Sequence, residues 1–235
     1  MSKKYRILVL SLVFIIGMSA GVYAASNLEI KAMLNNSIKI KVNGDDFTCT
    51  AEDGSKLLPI TYNNRTYLPV RSIANALSVA IEYDNFDKTI YIGDRDKTPL
   101  KSGDFEKNYT CQFTTDKELL MVNDKQYQSG IVYTGTEGYY EYSGFVFPKG
   151  KYQKFGGVAS MEDNDNSTDQ VIIKIRENDY QGRVLKQITL ENGESISFEI
   201  DIPQIKTIYI QNLVSDRTPK STNPDQMIIG DPYFR

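Results

Sequence analysis

The sequence predicts a β-rich protein of two domains, in which a small α+β module precedes a β-sandwich. Three observations lead to this fold class. Short runs of alternating apolar and polar residues, separated by Asn, Asp and Gly, recur along most of the chain. One helical stripe interrupts them between residues 70 and 77, and no second stripe of useful length follows. The 235 residues, of which 40% are hydrophobic, provide material for two modest cores.

The first 24 residues have the pattern of a secretory signal peptide. Their positive charges are Lys3, Lys4 and Arg6. A nearly unbroken apolar run follows, and Val22-Tyr23-Ala24 places small residues where a signal peptidase cuts. The competing interpretation is an uncleaved membrane anchor, but a spanning helix needs roughly 20 apolar residues and this run is shorter. We expect cleavage after Ala24, no stable membrane insertion afterwards, and a secreted, extracellular or wall-associated protein.

Composition excludes several classes of function. Removing residues 1–24 lowers Lys and Arg from 27 to 24 against 30 Asp and Glu, a net charge of −6. An acidic surface repels phosphate backbones, so we expect no nucleic-acid partner. The chain contains no histidine, which removes Ser-His-Asp and Cys-His catalysis and histidine-ligated copper or zinc. The sequence therefore predicts a protein that is not an enzyme, although chemistry by paired carboxylates remains open.

The first module spans residues 38–94, after a polar lead-in at residues 25–37. It opens with a strict alternation that ends at Asn43-Gly44, a strong hairpin signal. Asn63-Asn64 provides a second turn between two short runs that each contain a proline.

A short helix and a closing hairpin complete this module. The stripe of the helix consists of Val70, Ile73, Ala74 and Leu77. Pro69 suits the first helical position, where its missing N–H would have no partner. The runs 79–83 and 89–92 then flank a turn rich in Asp and Asn, which predicts a hairpin.

Residues 95–114 are polar and are interrupted by Pro99 and Gly103, which predicts a linker. A strand near residues 109–113 could belong to the next module.

The second module spans residues 115–235 and has the repeated short runs of a β-sandwich. Its clearest predicted strands are residues 171–175, 184–190, 195–200 and 207–210. Asn192-Gly193 separates two of these strands and predicts a hairpin turn between them.

The first module resembles the copper amine oxidase N-terminal domain-like family, a bacterial stalk domain. The resemblance rests on the Asn43-Gly44 turn, on YNNRTYLPVRSIANAL from residue 62 to 77, and on EYDNFDKTIYIG from residue 82 to 93. It implies a fold and a cell-surface setting typical of Gram-positive bacteria. Copper and amine oxidation are not implied, because the metal needs three histidines and the one Asn-Tyr pair, Asn108-Tyr109, is followed by Thr110.

The second module resembles the NPCBM-type family, whose name stands for novel putative carbohydrate-binding module. The resemblance rests on FPKGKYQKFGGVASMEDND from residue 147, VIIKIREN from residue 171 and DQMIIGDPYF from residue 225. It implies a galactose-binding-like β-sandwich with a jelly-roll topology and a glycan ligand. The family has His and Trp in its closing motif, whereas this chain has Gln226 and Ile228-Ile229 there.

Two groups of side chains are candidate ligand sites. Sugar recognition uses aromatic faces, and four tyrosines cluster before residue 147, namely Tyr133, Tyr139, Tyr140 and Tyr142. They form either a binding platform or half-buried strand positions. Glu162 begins an acidic loop whose hard oxygen ligands could hold a structural calcium ion, with Asp163, Asp165 and Asp169 as ligands. The alternative is a solvated turn.

Three further residues carry alternatives. Cys49 and Cys111 could form a disulfide in an exported chain, or each could be a small buried residue. Arg71 interrupts an apolar stretch; it could contact a ligand, or its stem could cover the core while its head pairs with an acid such as Asp84 or Asp87.

Taken together, the sequence favours a non-catalytic surface protein that recognises a cell-envelope polymer or glycan through the second module. A second hypothesis is a structural or protein–protein interaction module of the envelope that binds no sugar. A third is a glycan hydrolase that works with carboxylates alone.

Overall fold

The computed structural model describes residues 29–106, 111–133, 141–163, 170–214 and 227–235, without the side chains of residues 141, 142 and 214. The predicted signal peptide lies outside these residues. The described part is β-rich and contains one α-helix, α1 (Val70–Ala76). No described helix combines the length and the apolar character needed to cross a bilayer.

Seven short strands precede residue 95. They are β1 (Met33–Leu34), β2 (Ile40–Val42), β3 (Asp45–Phe47), β4 (Ile60–Tyr62), β5 (Arg65–Tyr67), β6 (Ile81–Asp84) and β7 (Thr89–Ile92). Thirteen follow: β8 (Thr98–Pro99), β9 (Phe105–Glu106), β10 (Cys111–Thr114), β11 (Met121–Val122), β12 (Lys125–Gln126), β13 (Gly130–Tyr133), β14 (Glu141–Val146), β15 (Lys154–Met161), β16 (Val171–Glu177), β17 (Val184–Leu190), β18 (Ser195–Asp201), β19 (Ile208–Val214) and β20 (Met227–Phe234). Two 3₁₀ turns, Ser102–Asp104 and Lys117–Leu120, lie between them.

The chain divides into two compact units. The described part of the smaller unit comprises residues 29–38 and Leu58–Leu68, and its strands form an antiparallel sheet in the order β1-β4-β5. Its turn at Asn63-Asn64 has positive φ at both residues, 46° and 56°, as the sequence predicts for this pair. The larger unit comprises Lys39–Leu57 and Pro69–Arg235.

The local predictions for residues 38–94 are largely confirmed. Asn43 and Gly44 have φ of 53° and 96° and join β2 to β3 as a hairpin. Pro69 does not begin the helix, because its backbone is extended and it precedes Val70 as the N-cap. The buried face of α1 carries Ser72 and Ala74, so the predicted stripe is displaced.

A β-sandwich forms the rest of the larger unit, which confirms the predicted fold. One sheet has the order β10-β13-β20-β15-β18, with β8 on β20, and the other has the order β17-β16-β19-β14-β9. Inward side chains of both sheets build the core, among them Ile131, Phe155, Ile173, Ile210 and Phe234. Burial of such apolar side chains is the main stabilising term of the fold.

The sandwich begins earlier in the chain than the sequence suggests. β8 pairs with β20 and β9 pairs with β14, while Leu100 and Phe105 belong to the core. The sequence predicts a linker here because of Pro99 and Gly103. In the structure residues 98–106 belong to the sandwich instead, with β8 and β9 as short strands at its edges. Proline is tolerated at such an edge because no ladder hydrogen bond from its nitrogen is required.

The turn at Asn192-Gly193 is a corner and not a hairpin, which corrects the prediction. β17 pairs with β16 in one sheet, whereas β18 pairs with β15 in the other. Gly193 has φ of 75°, so the turn chemistry is as expected. The inward faces of β17 and β18 pack on opposite sides of the core, and this packing decides their partners.

A second apolar cluster covers part of the outer face of the β20 sheet. Leu120, Val122 and Tyr127, from the segment around β11 and β12, pack on Val132 and Ile228. Beside this cover, the outer face of β15, β18 and β20 is open.

Candidate functional site

The open face carries the outward-pointing strand residues, because side chains alternate between the two sides of a sheet. In β18, Ile196, Phe198 and Ile200 point towards the core, whereas Ser197 and Glu199 point outwards. β15 and β20 lie next to β18 in the same sheet and contribute the floor.

A β-bulge shapes this floor. The register of β15 with β20 changes between Gly156, opposite Tyr233, and Val158, opposite Gly230. Asp231, within the bulge, has φ of 45°. Extra residues at a bulge redirect side chains at sheet surfaces, and here the bulge exposes the carboxylate of Asp231.

Asp231 fixes the loop that forms one wall. Its Oδ1 accepts hydrogen bonds from the backbone N–H groups of Gln128 at 2.7 Å and Ser129 at 3.2 Å. Ser129 in turn accepts a hydrogen bond at its carbonyl from the backbone of Asp231, at 2.8 Å. The loop and the bulge are therefore tied together by three hydrogen bonds.

Glycine at position 156 allows an aromatic ring to lie against the sheet. A Cβ at Gly156 would lie 2.7 Å from both Cζ and Oη of Tyr233. A Cβ there would also lie 2.8 Å from the backbone oxygen of Phe198, so the ring or the backbone would have to shift, and the ring keeps this place because residue 156 is glycine. The sequence motif with two adjacent glycines and the closing GDPYF motif thus meet at one point.

These residues enclose a cavity of about 720 Å³, which we call the sandwich groove. Its lining consists of Lys97, Pro99, Gln128, Ser129, Gly157, Val158, Ser197, Phe198, Glu199, Asp231, Pro232 and Tyr233. The volume lies within the range of roughly 300–1,000 Å³ that is usual for small-molecule sites.

Two charged groups hold the tyrosine of the groove. Tyr233 donates a hydrogen bond to Glu199 Oε2 at 2.9 Å, and the exposed Lys97 places its Nζ 4.0 Å from the ring centre. Lys154 Nζ lies 3.1 Å from Glu199 Oε1, and Arg235 lies 3.6 Å from Oε2. The ring is therefore positioned before any ligand arrives.

Glu199 is ionised at neutral pH. Burial alone would raise the pKa of its carboxyl, but hydrogen bonds from Lys154 and Tyr233 and the charge of Arg235 outweigh this effect. The pKa therefore lies below its ordinary value of 4.5. A carboxyl that acts as a general acid needs a raised pKa instead.

Of the four tyrosines in the platform expected from the sequence, only Tyr133 has a described side chain, and it does not line this groove. Tyr133 is buried in the sandwich core, where no sugar ring can reach its face. Tyr142 pairs with Asn212 through β14, and its side chain lies outside the described part, as do Tyr139 and Tyr140 entirely.

The calcium candidates are only partly within the described residues. Asp163 accepts a hydrogen bond from Asn192 at 2.9 Å, and its backbone N–H donates to Asn123 Oδ1 at 2.7 Å. Asp165 and Asp169 lie outside the described residues. Across the part of the chain with assigned positions, no three acidic or cysteine side chains gather as a metal site would require.

Both cysteines are free, buried thiols in the structure. Burial raises the pKa of the Cys111 thiol, so it stays protonated at neutral pH. Ile228 and Ile229 lie in the closing motif, where the NPCBM resemblance implies His and Trp; they are fully buried in the two apolar clusters and contact no solvent.

Sequence reasoning missed the residues of the sandwich groove. Gly157 and the Asp231–Tyr233 segment were visible as motifs, but Lys97, Gln128 and Ser197 carry no local signal. These residues lie in or next to strands of one sheet, which contains β8, β18 and β20. Their proximity therefore depends on strand order.

A family model supports the first of the two resemblances. Residues 41–138 match the model described as copper amine oxidase N-terminal domain, which confirms the resemblance of the first module. The matched region continues past residue 94 into the strands of the sandwich. No curated protein matches the chain.

Several solved structures are similar to this chain at low identity. Two come from ZmpB of Clostridium perfringens. Its M60 catalytic domain with CBM51-1 and CBM51-2 is 15% identical, with a TM-score of 0.43, and the match covers 66% of this chain and 17% of that one. CBM51-2 in complex with GlcNAc, with INT domains, is 13% identical, with a TM-score of 0.43, over 87% of this chain and 48% of that one.

A third similar structure is the K1 cleaved adhesin domain of Lys-gingipain from Porphyromonas gingivalis W83. It is 9% identical, with a TM-score of 0.38, over 58% of this chain and 92% of that one. This chain spans less than half the length of both clostridial chains. Both clostridial structures contain carbohydrate-binding modules.

Proposed function

We propose that this chain is a non-catalytic binding protein of the cell envelope, whose sandwich groove recognises a glycan. The observation that carries the proposal is the groove itself, an open cavity of about 720 Å³ in which a fixed aromatic ring lies beside amide, hydroxyl and carboxylate groups. The signal peptide pattern of residues 1–24 supports export, and the stalk-type first module supports a role as a spacer or envelope anchor.

The chemistry of the groove suits a sugar. Hydroxyl groups of a sugar need both donors and acceptors, which Gln128, Ser197 and the free oxygen of Asp231 provide. The C–H groups of a pyranose ring pack on aromatic and aliphatic surface, which Tyr233 and Val158 provide. Because Lys97 over the ring is exposed, a ligand can displace its ammonium group into water.

Two features support binding without catalysis. The absence of histidine removes the commonest general base. Glu199, a carboxylate that lines the groove, has a lowered pKa and is engaged by two cations. A glycoside hydrolase needs a carboxyl that is protonated near neutral pH, and this one is not.

The open groove predicts modest affinity for one site. Shallow polar contacts compete with water, so we expect monovalent binding to be weak and to improve when several copies are displayed together.

A glycan array followed by calorimetry tests the proposal on residues 25–235. The diagnostic variant is Ser197→Trp, which fills the groove from an exposed strand position. The matched control is Thr189→Trp, an exposed position on β17 in the opposite sheet. We expect saturable glycan binding that Ser197→Trp abolishes and Thr189→Trp preserves; equal binding by both variants, or no binding by the unchanged chain, refutes the assignment.

A separate observation favours the alternative, a protein–protein module. In the β6–β7 hairpin, the cross-strand pairs place Tyr83, Ile90 and Ile92 on one face, and all three are about half exposed. Phe86, in the turn of the hairpin, is 98% exposed. Contiguous exposed apolar side chains mark interaction surfaces. Replacing Tyr83 and Ile90 by serine would abolish capture of an envelope protein under this alternative and leave glycan binding intact.

A further inference from the structure

A second cavity, of about 650 Å³, lies in the first module and shares no residue with the sandwich groove. We call it the helix groove. One wall is α1 with the preceding Pro69, and the other is the segment from Phe47 to Leu57.

The walls of the helix groove are fixed by hydrogen bonds. The buried Ser72 on α1 accepts a hydrogen bond from the backbone N–H of Thr50 at 3.1 Å. Within the opposite wall, Ala51 N–H donates to Ser55 O, and Leu57 N–H donates to Cys49 O, each at 2.8 Å. Because both walls are tied together, the cavity is preformed.

Apolar side chains line most of this cavity. Phe47 and Leu57 are partly exposed on one wall, and Val70 on the other is 43% exposed. Partly exposed apolar side chains around a concavity gain free energy when another apolar group displaces water from them.

One cation stands at this apolar surface without an acidic partner. Arg71 is exposed, and no acidic side chain within the described residues lies within salt-bridge distance of it. The ion pairs expected from the sequence are wrong. Asp84 accepts a hydrogen bond from Phe86 N–H at 2.8 Å, and Asp87 accepts from the N–H of Thr89 and the hydroxyl of Tyr91. Their carboxylates complete the turn of the hairpin instead.

The charges of the helix groove restrict its ligand. A guanidinium binds a carboxylate through two parallel hydrogen bonds, so Arg71 favours an anion. Glu52 lines the same cavity and also has no ion pair within the described residues, so a second negative charge is repelled. The groove therefore suits a ligand with a single carboxylate and with N–H groups next to it.

We infer that the helix groove binds the C-terminal residues of a short peptide that ends in an apolar amino acid. The α-carboxylate of such a residue is two bonds from its apolar side chain, so one group reaches Arg71 while the other lies among Phe47, Leu57 and Val70. The side chain of Asp or Glu carries no apolar branch beside its carboxylate, so the apolar contact would have to come from another residue that is further away along the peptide. Thr50 and the exposed side chain of Asn75 can pair with the peptide backbone.

Fluorescence anisotropy with two probes tests the inference on the chain without residues 1–24. The probes are an N-terminally labelled Ala-Ala-Leu peptide with a free carboxylate and the same peptide with a C-terminal amide. We expect saturable binding of the acid. The amide should bind at least about tenfold more weakly than the acid, because amidation removes a charge-assisted pair. Equal affinity for acid and amide, or no saturable binding of the acid, overturns the inference.

Variants assign the site. Arg71→Gln should weaken binding of the acid about tenfold while binding of the amide stays unchanged, and Arg71→Lys should retain part of it. Val70→Asp, which adds a negative charge at an exposed position in the groove, should also abolish binding of the acid. The control is Arg65→Gln, an exposed arginine on β5 that does not line the cavity. Unchanged affinity in Arg71→Gln refutes the site.

This inference is independent of the proposed glycan site. Ser197→Trp fills the sandwich groove and should leave peptide binding unaltered, while Arg71→Gln should leave glycan binding unaltered. Loss of peptide binding in Ser197→Trp would contradict the separation of the two sites.

Discussion

Arg95 joins the β6–β7 hairpin to the sandwich, and its replacement by methionine measures the strength of this connection. Its Nη1 lies 2.9 Å from Glu82 Oε2, and the two side chains are only 15% and 17% exposed. The guanidinium carbon lies 3.9 Å from the ring centre of Tyr152 and 5.2 Å from that of Tyr91. Tyr152 stacks on the buried Phe234 at 4.5 Å. A column of side chains thus connects the hairpin to the core.

Opposing effects set the cost of Arg95→Met. A desolvated cation–π contact contributes about 2 kcal/mol, and a hydrogen bond to a charged group contributes about 1.5–3 kcal/mol. Against this, Nε and Nη2 of Arg95 are buried and have no hydrogen-bond partner among the described residues. Methionine relieves that desolvation penalty of about 1–3 kcal/mol, and Glu82 keeps Lys151 as a partner. We therefore expect a net loss of about 2 kcal/mol in the free energy of unfolding.

Urea unfolding and calorimetry at neutral pH provide the measurement. A loss of this size lowers the melting temperature of a domain of roughly 200 residues by about 4–8 °C. Glu82→Gln should cost more, about 3–5 kcal/mol, because it leaves the guanidinium of Arg95 buried without its carboxylate. The control is Arg183→Met, because the pair Arg183–Glu177 is 72% and 33% exposed and contributes within about 1 kcal/mol.

The expected order of destabilisation is thus Glu82→Gln first, Arg95→Met second and Arg183→Met last. If Arg95→Met and Glu82→Gln were both as stable as the Arg183→Met control, the column would contribute nothing and the reasoning would be refuted.

Three other predictions follow from buried groups. Burial alone would raise the pKa of Glu82, but hydrogen bonds from its two cations hold the pKa below its ordinary value of 4.5. The ionised carboxylate therefore stabilises the fold above that pH, and this stabilisation is lost as the pH falls further. The urea midpoint should drop on acidification, and Glu82→Gln should flatten the dependence of that midpoint on pH. Gly156→Ala should lower the free energy of unfolding by about 1–3 kcal/mol, since its Cβ would lie 2.7 Å from an aromatic ring and 2.8 Å from a backbone oxygen. In the same assay Gly103→Ala should be neutral, because a Cβ at residue 103 meets nothing within 4 Å. Cys49 and Cys111 are buried, so both should resist a thiol reagent in the folded chain and react with it in urea. If neither cysteine reacted in the unfolded, unreduced protein, the two would form a disulfide.

Local sequence signals predicted the elements better than their partners. The positive φ that the turn at Asn43-Gly44 requires is a property of those two residues, so the hairpin was predictable from them. The same chemistry at Asn192-Gly193 predicted a turn correctly and a hairpin wrongly. A turn fixes only the direction in which the chain leaves, while the sheet that a strand joins depends on residues far away in the chain.

The candidate site was predictable only in part for the same reason. Gly156-Gly157 and the Asp231–Tyr233 segment were visible as motifs, and the contact between Gly156 and Tyr233 explains why one needs the other. Ser197 was one polar position in an alternating strand, and nothing local distinguishes it from its neighbours. Tyr133, in contrast, stood in a conspicuous cluster of tyrosines and is buried.

The closing hairpin shows what alternation cannot decide. Its two faces differ in the sequence, Glu82 and Tyr91 on one side and Tyr83, Ile90 and Ile92 on the other. The ordinary expectation buries the apolar face, because burial of apolar area is favourable. In the structure Ile81 of the apolar face is buried, but Tyr83, Ile90 and Ile92 of that face are exposed. Glu82 on the polar face is shielded, because Arg95 and Lys151 reach it and Tyr152 covers Arg95. A period of two residues identifies the two faces, and only the side chains supplied by distant segments decide which positions on them are shielded.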